Sequence, residues 1–459
     1  MLQTFKNAWK VPELKKKILF TLMILLLYRI GANLYVPFVN VTQIQSADIT
    51  QGALEFLSLI SGGALAQASF FALSVSPYIT ASIVIQLLTV AIPALERLSK
   101  EGEEGKKKLT KYTRLLTVAL SMVTAFGYVK LLEANGLLTV FLYDGMAKND
   151  KFMYYFAHVV MIACFCAGAS IIMWLAEKID AHGIGNGISM ILFANIIAST
   201  TTTVQQMVNM LKQPILVNNE IYGFSETWKT GGALVGAIIG IVVSVLLTLG
   251  AILLIVWFTN SERRIPIQYA KRVVGRKMYG GQSSNLPLKM NMAGVMPVIF
   301  ASSIVTIPAT IAGFLPSTNK FAIWVTKWLG QTSIIYIVLN IILILLFSYF
   351  YIMISFNPVE VSNNIRSQGG SVPGIRPGKP TSDYIKKILN RITLMGAIFL
   401  VVVAVVPMIV NAITIQFNYY FASMAFMGTS LLIVVGVALE TVRDLEAQMA
   451  MRNYKGFLD

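Results

Sequence analysis

Ten stretches of roughly 18 to 25 mostly apolar residues punctuate the chain, at about 18–38, 76–93, 112–133, 153–177, 188–211, 233–258, 293–315, 332–356, 391–413 and 418–441. A helix rising 1.5 Å per residue needs about 20 residues to cross a hydrocarbon layer about 30 Å thick, so each stretch is predicted to be a membrane-spanning helix. Backbone groups in lipid must pair within their own segment, and these runs are too long and too continuous for barrel strands. Ten crossings return the chain to the face it started from. Five spans precede the polar stretch 212–232 and five follow it, so halves 1–211 and 233–441 enter the membrane from opposite faces, with 442–459 as a tail. That is the topology of an inverted repeat.

Two kinds of connection depart from simple loops. Residues 52–75 are largely apolar but broken by Ser58, Ser61, Gly62, Gly63, Gln67 and Ser69. They suit a re-entrant segment inside the protein or along a cavity, with an interfacial loop as the alternative. The loops 261–290 and 357–390 are long, basic and rich in glycine and proline, which predicts protruding structures.

Composition agrees with the pattern: 56% of residues are hydrophobic, 13% are charged, and the mean hydropathy is +0.69. Such a chain needs lipid as part of its solvent. A net charge of +16 would suggest nucleic acid in a soluble protein. Here most Lys and Arg lie in the N-terminal stretch, in the loops after spans two, four, six and eight, and in the tail, which places those segments and both termini in the cytoplasm. Lys15, Lys16 and Lys17 before an apolar run resemble the start of a signal peptide, but no small-x-small cleavage site follows, so the first helix is expected to be retained.

Candidate chemistry is sparse. Arg29, Lys130, Glu133, Glu177 and Glu440 sit toward span ends, where charges reach water and serve as anchors. His158 and His182 lie in no metal-ligand pattern, and Cys164 and Cys166 are expected to be buried, reduced thiols. The loop GEEGKKK (102–108) lacks the order of a phosphate-binding loop. No catalytic residue, metal or cofactor is expected, and the chain reads as a non-enzyme. Pro77, the glycines of 183–187, Gly294 and Pro297 interrupt otherwise apolar helices.

Six motifs, in order, resemble the SecY family, the central subunits of bacterial protein-translocation channels: SPYITASIVIQLL (76–88), GIGNGIS (183–189), ERRIPIQYAKR (262–272), NMAGVMPVIFASSI (291–304), GGSVPGIRPGKPT (369–381) and GTSLLIVV (428–435). The resemblance covers nearly the whole chain. It implies an all-α membrane protein of ten helices in two inverted halves, hinged at 212–232. It further implies a pore narrowed by Ile79, Ile83, Ile188, Leu192, Ile299 and Ile433, a short plug helix near 57–70 with Ser61, Gly62, Gly63, Ala64, Leu65 and Gln67, and a lateral gate carrying Gln86, Pro297 and Ser303. Arg263, Arg264, Lys271, Arg272 and Arg376 would meet a SecA-like motor ATPase or the ribosome, beside small membrane subunits similar to SecE and SecG. The substrates would be signal peptides and secretory or membrane-protein precursors, and the setting the lipid bilayer of a bacterial cytoplasmic membrane. An inverted-repeat secondary transporter is the alternative, weakened by the lack of ionisable residues at mid-span.

Overall fold

A computed structural model describes residues 2–40, 61–138, 151–212, 215–217, 220–222, 231–269, 272–274, 277–279, 283–313, 315, 319–330, 333–416 and 427–455. Each of the ten expected spans coincides with a helix. They are α2 (Pro12–Ala32), α3 (Ser76–Ala91), α5 (Glu103–Ala134), α6 (Lys151–His182) and α7 (Gly187–Lys212), then α8 (Gly231–Asn260), α9 (Met296–Gly313), α11 (Ile334–Ser355), α13 (Lys379–Gln416) and α14 (Met427–Lys455). Large side chains such as Leu115, Phe152, Val159, Leu253, Trp257, Ile334 and Met353 are 64–80% exposed. Water would not tolerate an apolar surface of that extent, and lipid does. The first span departs from expectation: its helix ends at Ala32, and 33–40 continue as turns with isolated bridges at Tyr35 and Val39. Of the tenth, residues 418–426 lie outside the described residues.

Short amphipathic helices join the spans: α1 (Leu2–Lys10), α4 (Pro93–Lys100), α10 (Lys320–Leu329) and α12 (Pro358–Ser367). Proline opens α4, holding Ile92 before it in an extended conformation, and the chain turns by 102° between α3 and α4. Asn357 caps α12 by accepting from the amides of Val359 and Glu360.

The two long basic loops fold together. Strand β3 (Glu262–Tyr269) pairs antiparallel with β6 (Ser283–Lys289) and, through Gln268 and Tyr269, with β7 (Gly370–Ser371) from the other loop. Ile265 and Ile267 point to the buried face of β3, where they meet Val372, Ile365, Ile385 and Leu389. Two hairpins complete the strands, β1 (Ile215–Val217) with β2 (Glu220–Tyr222), and β4 (Arg272–Val274) with β5 (Lys277–Tyr279).

Helix packing repeats between the halves. In the first, α3 packs on α5, α5 on α6, α6 on α7, and α7 on α2; in the second, α9 packs on α11, α11 on α13, α13 on α14, and α14 on α8. These are the same neighbours, five spans apart. Among the described residues, the spans of the two halves meet along two main seams, α3 against α9 and α7 against α14, and α1 also packs on α14.

Candidate functional site

The largest apolar cluster lies where the halves meet. It contains Ile79 and Ile83 of α3, Leu192 of α7, Ile299 of α9 and Ile433 of α14, each at most 4% exposed, with Ile188 half-buried against them. All six aliphatic residues singled out in the sequence therefore come together. On α3 and α7 the paired positions are four residues apart, so both project from one helix face. Phe71, Val75 and Ile196 join the same cluster. Val75 and Ile196 each lie one turn beyond Ile79 and Leu192 on the same stripes, a spacing visible in the sequence.

The segment before α3 connects this cluster to a second one. Leu65, Ala68, Ala72 and Leu73 pack with Ala125, Tyr128 and Leu132 of α5 and with Met161 and Phe165 of α6. Of the segment expected to hold the plug helix, residues 57–60 lie outside the described residues, Ser61 is helical, and 62–75 run as consecutive turns apart from a bridge at Ser69. Gly62 and Gly63 have φ of +64° and +85°, a left-handed region that glycine occupies without strain and that ends a helix. Hydrogen bonds hold the turns: Leu65 N donates to Ser61 Oγ (3.1 Å), Ser69 Oγ to Ala64 O (3.2 Å), and the buried Tyr128 hydroxyl to Leu65 O (2.5 Å). Ser61, Ala64 and Leu65 are buried, while Gly62, Gly63 and Gln67 are half-buried.

A buried polar knot fastens the end of this segment. Asn195 Nδ2 on α7 donates to Tyr28 Oη of α2 (2.8 Å) and to Ser74 Oγ (3.3 Å), and the two hydroxyls lie 3.4 Å apart. The Tyr28 ring stacks on Phe71 with centroids 5.4 Å apart. Partners separated by 46 to 167 residues give no local pattern, and the sequence reading missed them. Arg29, expected to anchor toward water, instead turns inward: its Nη2 donates to Ala194 O at 3.2 Å, and its guanidinium lies beside Gly62.

The other charged candidates pair near the helix ends. Arg114 Nε bonds Glu177 Oε1 at 2.7 Å. Lys130 Nζ bonds Glu133 Oε2 at 2.7 Å, and Glu133 also accepts from Tyr154 and lies 3.3 Å from His158 Nε2. Glu440 is exposed. Cys164 and Cys166 are free thiols, half-buried rather than buried; Cys166 faces α5, with Sγ 3.1 Å from Ser121 Oγ, and Cys164 packs at the margin of the second cluster.

On α3, Gln86 is half-buried; on α9, Ser303 is half-buried and Pro297 is buried. Gln86 Nε2 donates to Ser82 Oγ one turn back on its own helix, at 3.3 Å. In the loop unit, Arg263 is exposed and Arg264 pairs with Glu262 at 2.6 Å. Arg272 opens β4, and Lys271 lies outside the described residues. Exposed Arg376 sits on a turn braced by Thr381 Oγ1 donating to Arg376 O and Ser362 Oγ donating to Gly378 O. At the root of the unit, burial and the neighbouring Arg443 hold the Lys289 ammonium below the usual lysine range.

Comparison with known proteins agrees with this arrangement. The family model described as SecY matches residues 69–442. The protein translocase subunit SecY of Streptomyces coelicolor is 43% identical over the full length of both chains. Among solved structures, one described as a protein-conducting channel aligns with a TM-score of 0.60 at 18% identity, covering 96% of each chain. Sec61 in the canine ribosome–channel complex aligns with a TM-score of 0.55 at 17% identity, with the same coverage. Both structural likenesses speak for the fold, and the full-length sequence match places the chain in the SecY family.

Proposed function

We propose that the aliphatic cluster between the halves is the constriction of a channel through which unfolded polypeptides cross the membrane. The observation that carries this reading is the convergence of Ile79, Ile83, Ile188, Leu192, Ile299 and Ile433, from four helices of both halves, into one apolar cluster. Aliphatic side chains form a nonspecific gasket around a moving chain and a dewetted barrier to ions when it is absent. A transporter site asks for polar or ionisable groups at that place, whereas aliphatic side chains occupy it. The protein is a channel rather than a catalytic enzyme, multi-pass in the bacterial cell membrane.

In this reading 61–75, with residues toward 57, is the plug. The α3–α9 seam with Gln86, Pro297 and Ser303 is the lateral gate that releases transmembrane segments into lipid. Residues 1–211 and 233–441 act as two jaws joined by 212–232, and both termini face the cytoplasm, where the basic loops lie. Arg263, Arg264, Lys271, Arg272 and Arg376 dock a motor ATPase similar to SecA or a ribosome, with small subunits similar to SecE and SecG alongside. The ribosome-bound Sec61 likeness and the arginine-bearing loop unit support that docking; arginine forks pair with carboxylates and phosphates.

The test replaces Cys164 and Cys166, places a photo-crosslinking residue at Ile83 or Ile188, and reconstitutes the channel with motor, companions and a stalled precursor. Crosslinks that require ATP and a signal sequence are expected. Intact translocation without such crosslinks would remove the ring from the path.

A further inference from the structure

Helix α10 follows span seven on the membrane face opposite the β3–β6–β7 unit, and it divides into three stripes. Ala322, Val325 and Leu329 pack against Ala309, Ala312 and Leu315, tying α10 to α9. Beside them, Phe321, Trp324 and Trp328 recur at i, i+3 and i+7, so they share a face, and each is 41–55% exposed. Next around the helix come Lys320 and Lys327, both exposed. The Lys327 ammonium stands 5.6 Å from the Trp328 ring centroid, placing charge and aromatic at one level.

Three further observations point to the occupant. The helix packs between α9 and α11, whose side chains Ile307, Ile311, Ile334 and Ile335 are 39–77% exposed on the lipid-facing surface, so the aromatic stripe continues that surface to its edge. Tryptophan concentrates where hydrocarbon meets headgroups, with one side of the ring apolar and the other polar. Residues 314–333 contain no acidic residue, so both lysines stand without a local carboxylate in sequence. Lysines are disfavoured on the side the positive-inside rule assigns to this connection, and anionic headgroups offset that cost.

We propose that α10 is an interfacial helix that binds anionic phospholipid headgroups through Lys320 and Lys327, with Phe321, Trp324 and Trp328 seated at the headgroup–acyl boundary. Because α10 is fastened to α9, this contact grips the bilayer beside one helix of the α3–α9 seam. The inference rests on the bundle spanning a membrane and stands apart from what the ring conducts.

To test it, the full chain with Trp9, Trp174, Trp228 and Trp257 changed to Phe, leaving Trp324 and Trp328, is reconstituted into vesicles whose lipids carry bromine at a shallow or a deep acyl position. Brominated phosphatidylglycerol is compared with brominated phosphatidylcholine as the minor component. The expected result is blue-shifted emission, stronger quenching by shallow than deep bromine, and at least a twofold preference for phosphatidylglycerol that Lys320→Gln/Lys327→Gln abolishes. That lysine pair is solvent-exposed, so its replacement leaves the α9–α10 packing in place, and unchanged bromine-depth dependence in the double variant checks that the helix is still seated. Water-like emission insensitive to either bromine would overturn the proposal, as would equal quenching by the two headgroups.

Discussion

At the residue scale, a few buried polar contacts fasten the segment 61–75, the proposed plug, to α2 and α7. Tyr28, Ser74 and Asn195 are at most 2% exposed in the wild-type chain. A buried polar group deprived of a partner costs about 1–3 kcal/mol. Tyr28→Phe keeps the ring on Phe71 but removes the oxygen that receives the Asn195 amide. If the knot holds the plug shut, the closed state should lose about 1 kcal/mol, and the resting ion current in planar bilayers should rise about fivefold. Tyr28→Phe and Ser74→Ala share a partner, so the double variant should leak less than the two separate effects predict. An unchanged resting current in Tyr28→Phe would detach this knot from gating. None of it was legible in the sequence, because an isolated Tyr, Ser and Asn in apolar runs carry no spacing signal until folding brings them together. The convergence of the six aliphatic positions was legible only through family motifs, since isoleucines and a leucine in apolar helices are otherwise indistinguishable from core.

At the element scale, the position of Ile188 and Leu192 on α7 depends on how that helix begins. The turn joining α6 to α7 is held from three sides: Gly187 N donates to Asp180 Oδ1 (2.7 Å), Ile184 N to Thr21 Oγ1 of α2 (3.1 Å), and Gly185 N to Asp444 Oδ2 of α14 (3.1 Å). Gly185 has φ of +73°, so a side chain there would add strain to a position already used as a donor. Ile188 lies one residue into α7. Asp444→Ala should therefore cost about 1–2 kcal/mol and lower the thermal midpoint of the purified protein, while Asp444→Asn, which retains an acceptor oxygen, should recover most of it. Crosslinking to a stalled precursor from position 188 should fall in parallel. Equal melting of Asp444→Ala and wild type would mean that Asp180 and Thr21 suffice. Helices of apolar period and sufficient length were read directly from the sequence. The short ones were not: α10 and α12 are too brief and too mixed for a span reading, and the alternation of Ile265 and Ile267 in β3 was overshadowed by the charge around it.

At the scale of the whole molecule, each half repeats the neighbour relations of the other, and two seams join them. They differ in chemistry. The α7–α14 seam is reinforced near the start of α7 by Asp444 accepting from Gly185 N, and Thr441 Oγ1, which donates to Val437 O at 2.7 Å, also lies 3.5 Å from Met190 Sδ. On α3 the polar side chain of Gln86 bonds within its own helix, and on α9 Ser302 Oγ likewise bonds back to Val298 O and Ile299 O. A seam whose polar groups are satisfied within each helix can part without stranding a donor, whereas one tied by cross-helix bonds cannot. The halves should therefore open as a clamshell, with α7–α14 as the hinge side and α3–α9 as the mouth. Spin labels at Gln86→Cys and Ser303→Cys, in a background with Cys164 and Cys166 replaced, should move apart when a precursor bearing a signal sequence engages. Labels at the exposed positions Ile197→Cys of α7 and Glu440→Cys of α14, which leave the contacts of Asp444 and Thr441 in place, should keep their separation. Pulsed dipolar spectroscopy reads both distances in the same lipid. Widening at the second pair with none at the first would reverse the assignment of hinge and mouth, because the bonds tying α7 to α14 would then have to break first.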